Sequence, residues 1–214
     1  MSPDEWAGRL VDYRRQGRPG SEIREIAQYL EQRGPRQPRA KRQGHASIVT
    51  RDDYVLREDE PHHLVRDAAG LPKLRLVDAG DGLAIWSPLD GGALLNPKSP
   101  GLRALGLITT YARGREHYAA AYRTADLRKG RPVALRREPN NPHDQNAVAL
   151  HGPSDRQPFA YVQRGRAAAV ARRLDAGESL AGVCLWGPGP GLDDDTTFLA
   201  IGSTADLAVL LSVP

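Results

Sequence analysis

Leu135-Arg136-Arg137-Glu138-Pro139-Asn140-Asn141-Pro142-His143-Asp144-Gln145-Asn146-Ala147-Val148 is the stretch on which the reading of the fold turns. Just upstream, Pro132 to Arg137 alternates: Val133 and Leu135 share one face, Ala134 and Arg136 the other, as in a strand. Downstream, Asn146 to Leu150 reads as a second strand. The stretch between them is therefore a strand-to-strand connection. Pro139 and Pro142 fix backbone angles, and Asn and Asp side chains can fold back on their own backbone. A connection this stiff holds His143 and Asp144 outward in one pose. Asn146 suits a plainer role equally well, satisfying backbone groups at the strand start.

Working outward, four further segments read as strands: His117 to Arg123, Phe159 to Val162, Leu180 to Trp186 and Thr197 to Ile201. Arg166 to Ala176 reads as a helix with Ala169, Val170 and Leu174 inward and Gly177 closing it. Six short strands and one helix predict an α+β chain built on a small closed barrel, since closure removes exposed sheet edges. The apolar run Leu207 to Val213 should pack back on this body.

Upstream of the barrel, residues 1–34 read as a helical hairpin. Ser2 and Pro3 start one helix, with Trp6, Leu10 and Tyr13 along one face. Ser21 starts the next, with Ile23, Ile26, Ala27 and Leu30 aligned. Two such short helices cannot bury both stripes alone, so they fit docking on the rest of the chain or on a protein partner. Residues 35–44 are a basic Pro/Gly linker carrying Arg36, Arg39, Lys41 and Arg42. Residues 45–104 form an extension in which Leu74 to Val77 and Leu83 to Trp86 flank a Gly-containing loop, a β-hairpin pattern. The barrel domain is assigned to 105–214.

The composition narrows the function. The chain has 214 residues, 30 Lys or Arg, 26 Asp or Glu and a formal net charge of +4. A single cysteine, Cys184, excludes a disulfide framework and a Cys-rich zinc site. It sits among Val183, Leu185 and Trp186 and reads as a core residue. The N-terminus lacks a signal-peptide pattern, and no apolar run approaches the ~20 residues of a membrane span, so a soluble cytoplasmic protein is expected. From Arg113 to Arg137 there are eight basic residues against Glu116 and Asp126. Such a run is usually a solvated face, but here Tyr122 and Tyr161 are interleaved with it.

The 135–148 stretch resembles the signature of the HIRAN domain family. Tyr122 on the preceding strand, Phe159-Ala160-Tyr161-Val162-Gln163-Arg164 and the helix after it are similar to that family as well. The resemblance covers roughly residues 105–210. It implies an OB-like β-barrel that binds single-stranded DNA and, in a fork-remodelling ATPase of the family, captures a free 3′-hydroxyl end. Carried over, Asp144 accepts the terminal hydroxyl, Tyr122 stacks on a base, Tyr161 lines the pocket, Arg164 contacts phosphate and Asn141 shapes the pocket. His143 stands where that relative has a tyrosine. Ala121 precedes Tyr122 where that relative has an arginine, and Arg123 follows it where that relative has a second tyrosine.

Three function classes compete. A metal-dependent nuclease would need carboxylates converging on Mg²⁺, and nothing in the spacing of Asp144 or Asp193-Asp194-Asp195 brings them together. There is no P-loop and no G-x-S-x-G elbow. A pure adaptor that recruits a helicase or nuclease through the N-terminal helices leaves the eight-to-two charge bias unexplained. The expectation is a non-enzymatic binder of single-stranded DNA or DNA 3′ ends in repair or replication-fork processing. It uses Tyr122, Arg123, Asn141, His143, Asp144, Tyr161 and Arg164, and needs no metal or cofactor.

Overall fold

The computed structural model describes residues 53–80, 82–153, 155–191 and 196–212. The helical hairpin expected at 1–34, the linker at 35–44 and the Asp193 to Asp195 run lie outside them. In chain order the described elements are α1 (Glu60–His63), β1 (Arg75–Asp78), β2 (Leu83–Ser87), β3 (Ala93–Leu95), β4 (Ile108–Arg113), α2 (Ala119–Thr124), β5 (Pro132–Arg137), β6 (Val148–His151), β7 (Ala160–Val162), α3 (Arg164–Asp175), β8 (Leu180–Trp186), β9 (Phe198–Ser203) and α4 (Thr204–Leu211). Short 3-10 turns at Pro100–Leu105 and Arg115–Tyr118 flank β4.

Six antiparallel strands close into a barrel in the order β4-β7-β6-β5-β8-β9. The expected number is right, but one member is different. His117 to Arg123 is not a strand: it forms a 3-10 turn and then α2. Three consecutive alanines, Ala119 to Ala121, favour helix strongly enough to outweigh the flanking tyrosines. The first barrel strand is instead β4, Ile108-Thr109-Thr110-Tyr111-Ala112-Arg113, rich in β-branched and aromatic residues. Gly114, at φ +76°, turns the chain from β4 into the 3-10 turn, a conformation that costs a side-chain-bearing residue.

The barrel interior is filled by Ile108, Ala112, Val133, Val148, Leu150, Phe159, Ala160, Val162, Cys184, Leu199 and Ile201. Ala167, Val170 and Ala171 of α3 join this core, and α3 touches β4, β5 and β6, so the helix stoppers one end of the barrel. Cys184 is fully buried, and burial pushes its thiol well above the ordinary range. It is a core residue, as its apolar neighbours predicted.

A second core lies outside the barrel wall. β1, β2 and β3 form a three-stranded antiparallel sheet in which Leu76 faces Ile85 and Ile85 faces Leu95. Leu74, Leu83, Ile85, Leu95 and Leu102 pack against Leu107, Ala181, Val183, Leu185, Phe198 and Ala200, with Leu207 and Leu210 of α4. The extension therefore shares a continuous apolar core with the barrel. Arg66 ties the two further: it bonds Asp206 of α4 at 3.0 Å and the Leu105 carbonyl at 2.8 Å. Ser203 caps α4 by accepting the Asp206 N–H at 3.1 Å.

Candidate nucleic-acid interface

The β5–β6 connection is held by its own side chains. Asn141 N–H donates to the Glu138 carbonyl at 3.1 Å, and Glu138 N–H to the Ala147 carbonyl at 3.0 Å. His143 N–H donates to the Asn141 side-chain oxygen at 3.0 Å. Asn146 N–H donates to Asp144 Oδ1 at 2.8 Å. Asn and Asp thus turn back on the backbone, as their positions between two prolines predict. His143 is exposed, and Asp144 is half-buried with one oxygen already oriented.

Glu138 organises the site, and the sequence reading had assigned it no role. Its Oε2 accepts Asn141 Nδ2 at 2.9 Å and the Tyr161 hydroxyl at 2.9 Å. The Tyr161 hydroxyl also meets the Tyr118 hydroxyl at 3.1 Å, and the two rings lie 5.6 Å apart at 47°. Asn141, Glu138, Tyr161 and Tyr118 therefore form one hydrogen-bonded chain across the loop, β7 and the 3-10 turn. Burial, the bonds to Tyr118 and Glu138, and the Glu138 charge all raise the Tyr161 pKa far above the ordinary phenol value. The phenol stays protonated and keeps donating.

Tyr122 does not join this group. It is 5% exposed, its hydroxyl meets Thr197 Oγ1 at 2.7 Å, and its ring packs 6.3 Å from Phe159. The expected base-stacking platform is a core ring, because α2 turns this position inward where a strand would have turned it out. Arg123 is exposed on α2, with its carbonyl accepting the Gly191 N–H at 2.8 Å. Arg164 is exposed at the first turn of α3. The structure thus brings Asn141 and Tyr161 into one network, keeps His143 and Asp144 on the same loop, and does not bring Tyr122 to it.

The basic excess is smaller than its count. Arg128 and Arg131 both pair with Asp126, at 2.7 and 2.6 Å. Lys129 pairs with Asp78 at 2.6 Å and Arg137 with Asp175 at 3.0 Å. Arg136 bonds the Asp155 and Arg156 carbonyls. Arg113, Arg164 and Arg172 have no ion-pair partner among the described residues. No group of three or more His, Cys, Asp or Glu side chains that could hold a metal ion occurs among the described residues. Nor is any described helix long and apolar enough to cross a membrane.

The model of the HIRAN domain family matches residues 105–199, a span that contains five of the six barrel strands whole, the first two residues of β9 and the whole loop network. Residues 105–199 are a HIRAN domain. The chain is similar to the crystal structure of the HIRAN domain of human HLTF, at 21% identity over 51% of this chain and 93% of that one, with a TM-score of 0.37. It is also similar to a crystal structure of a protein from Lactobacillus plantarum, at 24% identity over 44% of this chain and 87% of that one, TM-score 0.36. An NMR structure of the HLTF HIRAN domain follows, at 22% identity over 49% and 83%, TM-score 0.33. Comparison with curated proteins returns no match. The β1–β3 sheet and α4 lie outside the HIRAN match although they share the barrel's second core.

Tyr118 is the member of this hydrogen-bonded network that sequence reasoning missed. Glu138 was inside the quoted motif, and its acid between Arg137 and Pro139 was the clue to a charged acceptor on the loop.

Proposed function

We propose that this chain is a non-enzymatic nucleic-acid-binding protein whose HIRAN barrel takes single-stranded DNA and receives a free 3′-hydroxyl end at the 138–147 loop, in DNA repair or replication-fork processing. The observation that carries this reading is the Glu138-centred network. It ties the loop that bears His143 and Asp144 to the Tyr118–Tyr161 aromatic pair through Glu138. Asp144 has one oxygen committed to Asn146 N–H, which leaves the other to accept a terminal hydroxyl. The Tyr161 and Tyr118 rings supply the stacking surface first expected of Tyr122, and the exposed His143 imidazole adds a smaller one. Arg164 and Arg123 face solvent and supply phosphate contacts.

The test is fluorescence anisotropy of short labelled single strands at moderate salt, with a 3′-hydroxyl, a 3′-phosphate and a duplex probe. The hydroxyl end should bind tightest. Asp144→Ala should weaken that probe more than internal single strand. Arg164→Ala should weaken all single strands alike and lower the salt slope by about 0.7. Equal affinity for hydroxyl and phosphate ends removes the end-capture claim, and no binding to any probe removes the reading itself.

A further inference from the structure

On the outer face of β4, at the seam between the HIRAN barrel and the extension, Tyr111 carries two cations. The Arg113 guanidinium carbon lies 5.0 Å from the ring centroid and the Lys98 Nζ 5.7 Å. Both side chains are exposed, and neither has an ion-pair partner among the described residues. The ring itself is fixed, packed 4.7 Å from Phe198 and 6.5 Å from Trp186, and those two rings stack at 4.4 Å. Two like charges gathered on one ring repel each other. An anion that reaches both turns that repulsion into two charge-assisted contacts.

Lys98 is not a loose surface lysine. Its N–H donates to the Asn96 side-chain oxygen at 2.9 Å. The next residue, Ser99, accepts the Gly101 N–H at 3.1 Å and donates to the buried Glu60 at 2.5 Å. The backbone that presents Lys98 is thus tied on both sides. Lys98 lies outside the residues matched by the family, so this cation comes from the chain's own extension.

The patch is continuous with the loop site. In the β4–β7 register Arg113 sits directly opposite Tyr161, where side chains on one face are about 4.5–5.5 Å apart at Cβ. Tyr111 is two residues back on the same face of β4, about 6.6 Å along the strand. From the loop outward, one row therefore runs Tyr161, Arg113, Tyr111, Lys98. Alternating aromatic and basic side chains are what a single strand of nucleic acid uses, bases on the rings and phosphates on the cations.

We propose that Lys98 and Arg113, held around Tyr111, form a phosphodiester subsite for the internal nucleotides of a single strand whose end lies at the 138–147 loop. This inference rests on the single-strand reading given above. It assigns the extension a part in binding, as the support of the outer half of the track.

The experiment compares 5′-labelled oligothymidylates of 3 and 12 nucleotides by anisotropy across a salt series. The proteins are the full chain, Lys98→Ala, Arg113→Ala and the double variant, with circular dichroism to check folding. The wild type should bind the 12-mer tighter than the 3-mer. The double variant should lose about tenfold or more on the 12-mer at low salt and about 1.4 of its salt slope. Its affinity for the 3-mer should not change. A 12-mer affinity and slope equal to wild type in the double variant overturns the subsite while leaving the loop reading intact. Loss of 3-mer and 12-mer binding in equal measure also overturns it, since the cations then act at the loop. Wild-type protein that binds neither probe overturns both readings, and Asp144→Ala without effect while the double variant is impaired overturns end capture alone.

Discussion

Replacing Tyr122 separates a core ring from a ligand platform. In Tyr122→Phe the ring stays and the hydroxyl goes, leaving Thr197 Oγ1 without the 2.7 Å bond it makes inside the barrel rim. Thr197 is 1% exposed, so water cannot replace the lost partner. A buried polar group left unpaired costs about 1–3 kcal/mol. For a body of this size each kcal/mol lowers Tm by about 2–4 °C. Tyr122→Leu removes the aromatic contact with Phe159 as well and should cost more, about 2–4 kcal/mol. The assay is thermal unfolding of both variants beside anisotropy of a labelled single strand, read well below either midpoint. The expected outcome is lowered Tm with Kd unchanged. A stacked base is worth about 1–3 kcal/mol, roughly 5- to 150-fold in Kd. A Tyr122→Leu protein with unchanged Tm and a Kd weakened in that range would refute the assignment of this ring to the core.

Arg66→Ala should destabilise the joint between extension and barrel. It leaves Asp206, whose side chain is 8% exposed, without its cation and the Leu105 carbonyl without its donor. Because Arg66 is itself a third exposed, the expected loss is about 1–3 kcal/mol, read from urea unfolding; a midpoint equal to wild type would sink the claim. His151 should make the barrel acid-sensitive. It is 3% exposed on the outward side of β6, with neither ring nitrogen in a hydrogen bond of regular geometry. Burial, then the Arg136 charge, lowers its pKa, and the Asp155 and Gln157 backbone and the Glu138 charge oppose this without offsetting it. The unfolded chain therefore binds a proton that the folded chain resists, so stability is whole above about pH 6.5 and falls as pH drops through the folded value. His151→Phe should flatten the acid side of the Tm-against-pH profile between pH 7 and 5. A profile parallel to wild type would remove His151 as the cause.

The sequence made the loop legible and the wall around it less so. The 138–147 connection could be read because its residue types have local consequences: prolines fix φ, and Asn and Asp fold onto the backbone within a few residues. β4 was missed and α2 misread for the opposite reason. Tyr118 and Tyr122 look like strand aromatics until the three alanines between them are weighed, and the threonines of β4 look polar until paired with β9. The count of basic residues overstated the free charge, because Asp78, Asp126 and Asp175 reach their partners only in the folded chain, two of them across more than 35 residues.

The second core did leave a trace in the sequence, and its consequence bears on function. β8 and β9 are buried on both faces, and Leu180 to Leu185 is an unbroken apolar run of the kind expected of a strand with no solvent side. A lone barrel would have left every second residue of that run facing water. Something therefore had to cover β4, β9 and β8, and the extension and α4 do so. That cover is one-sided. In the barrel order the remaining strands are β7, β6 and β5, which carry the 138–147 loop, Tyr161 and the start of α3. The extension and α4 cover only the first half of the wall, and β6 in the other half is buried on both faces as well. The extension also sets Lys98 over Tyr111 at the edge of that cover, on the face of β4 that bears Arg113 opposite Tyr161.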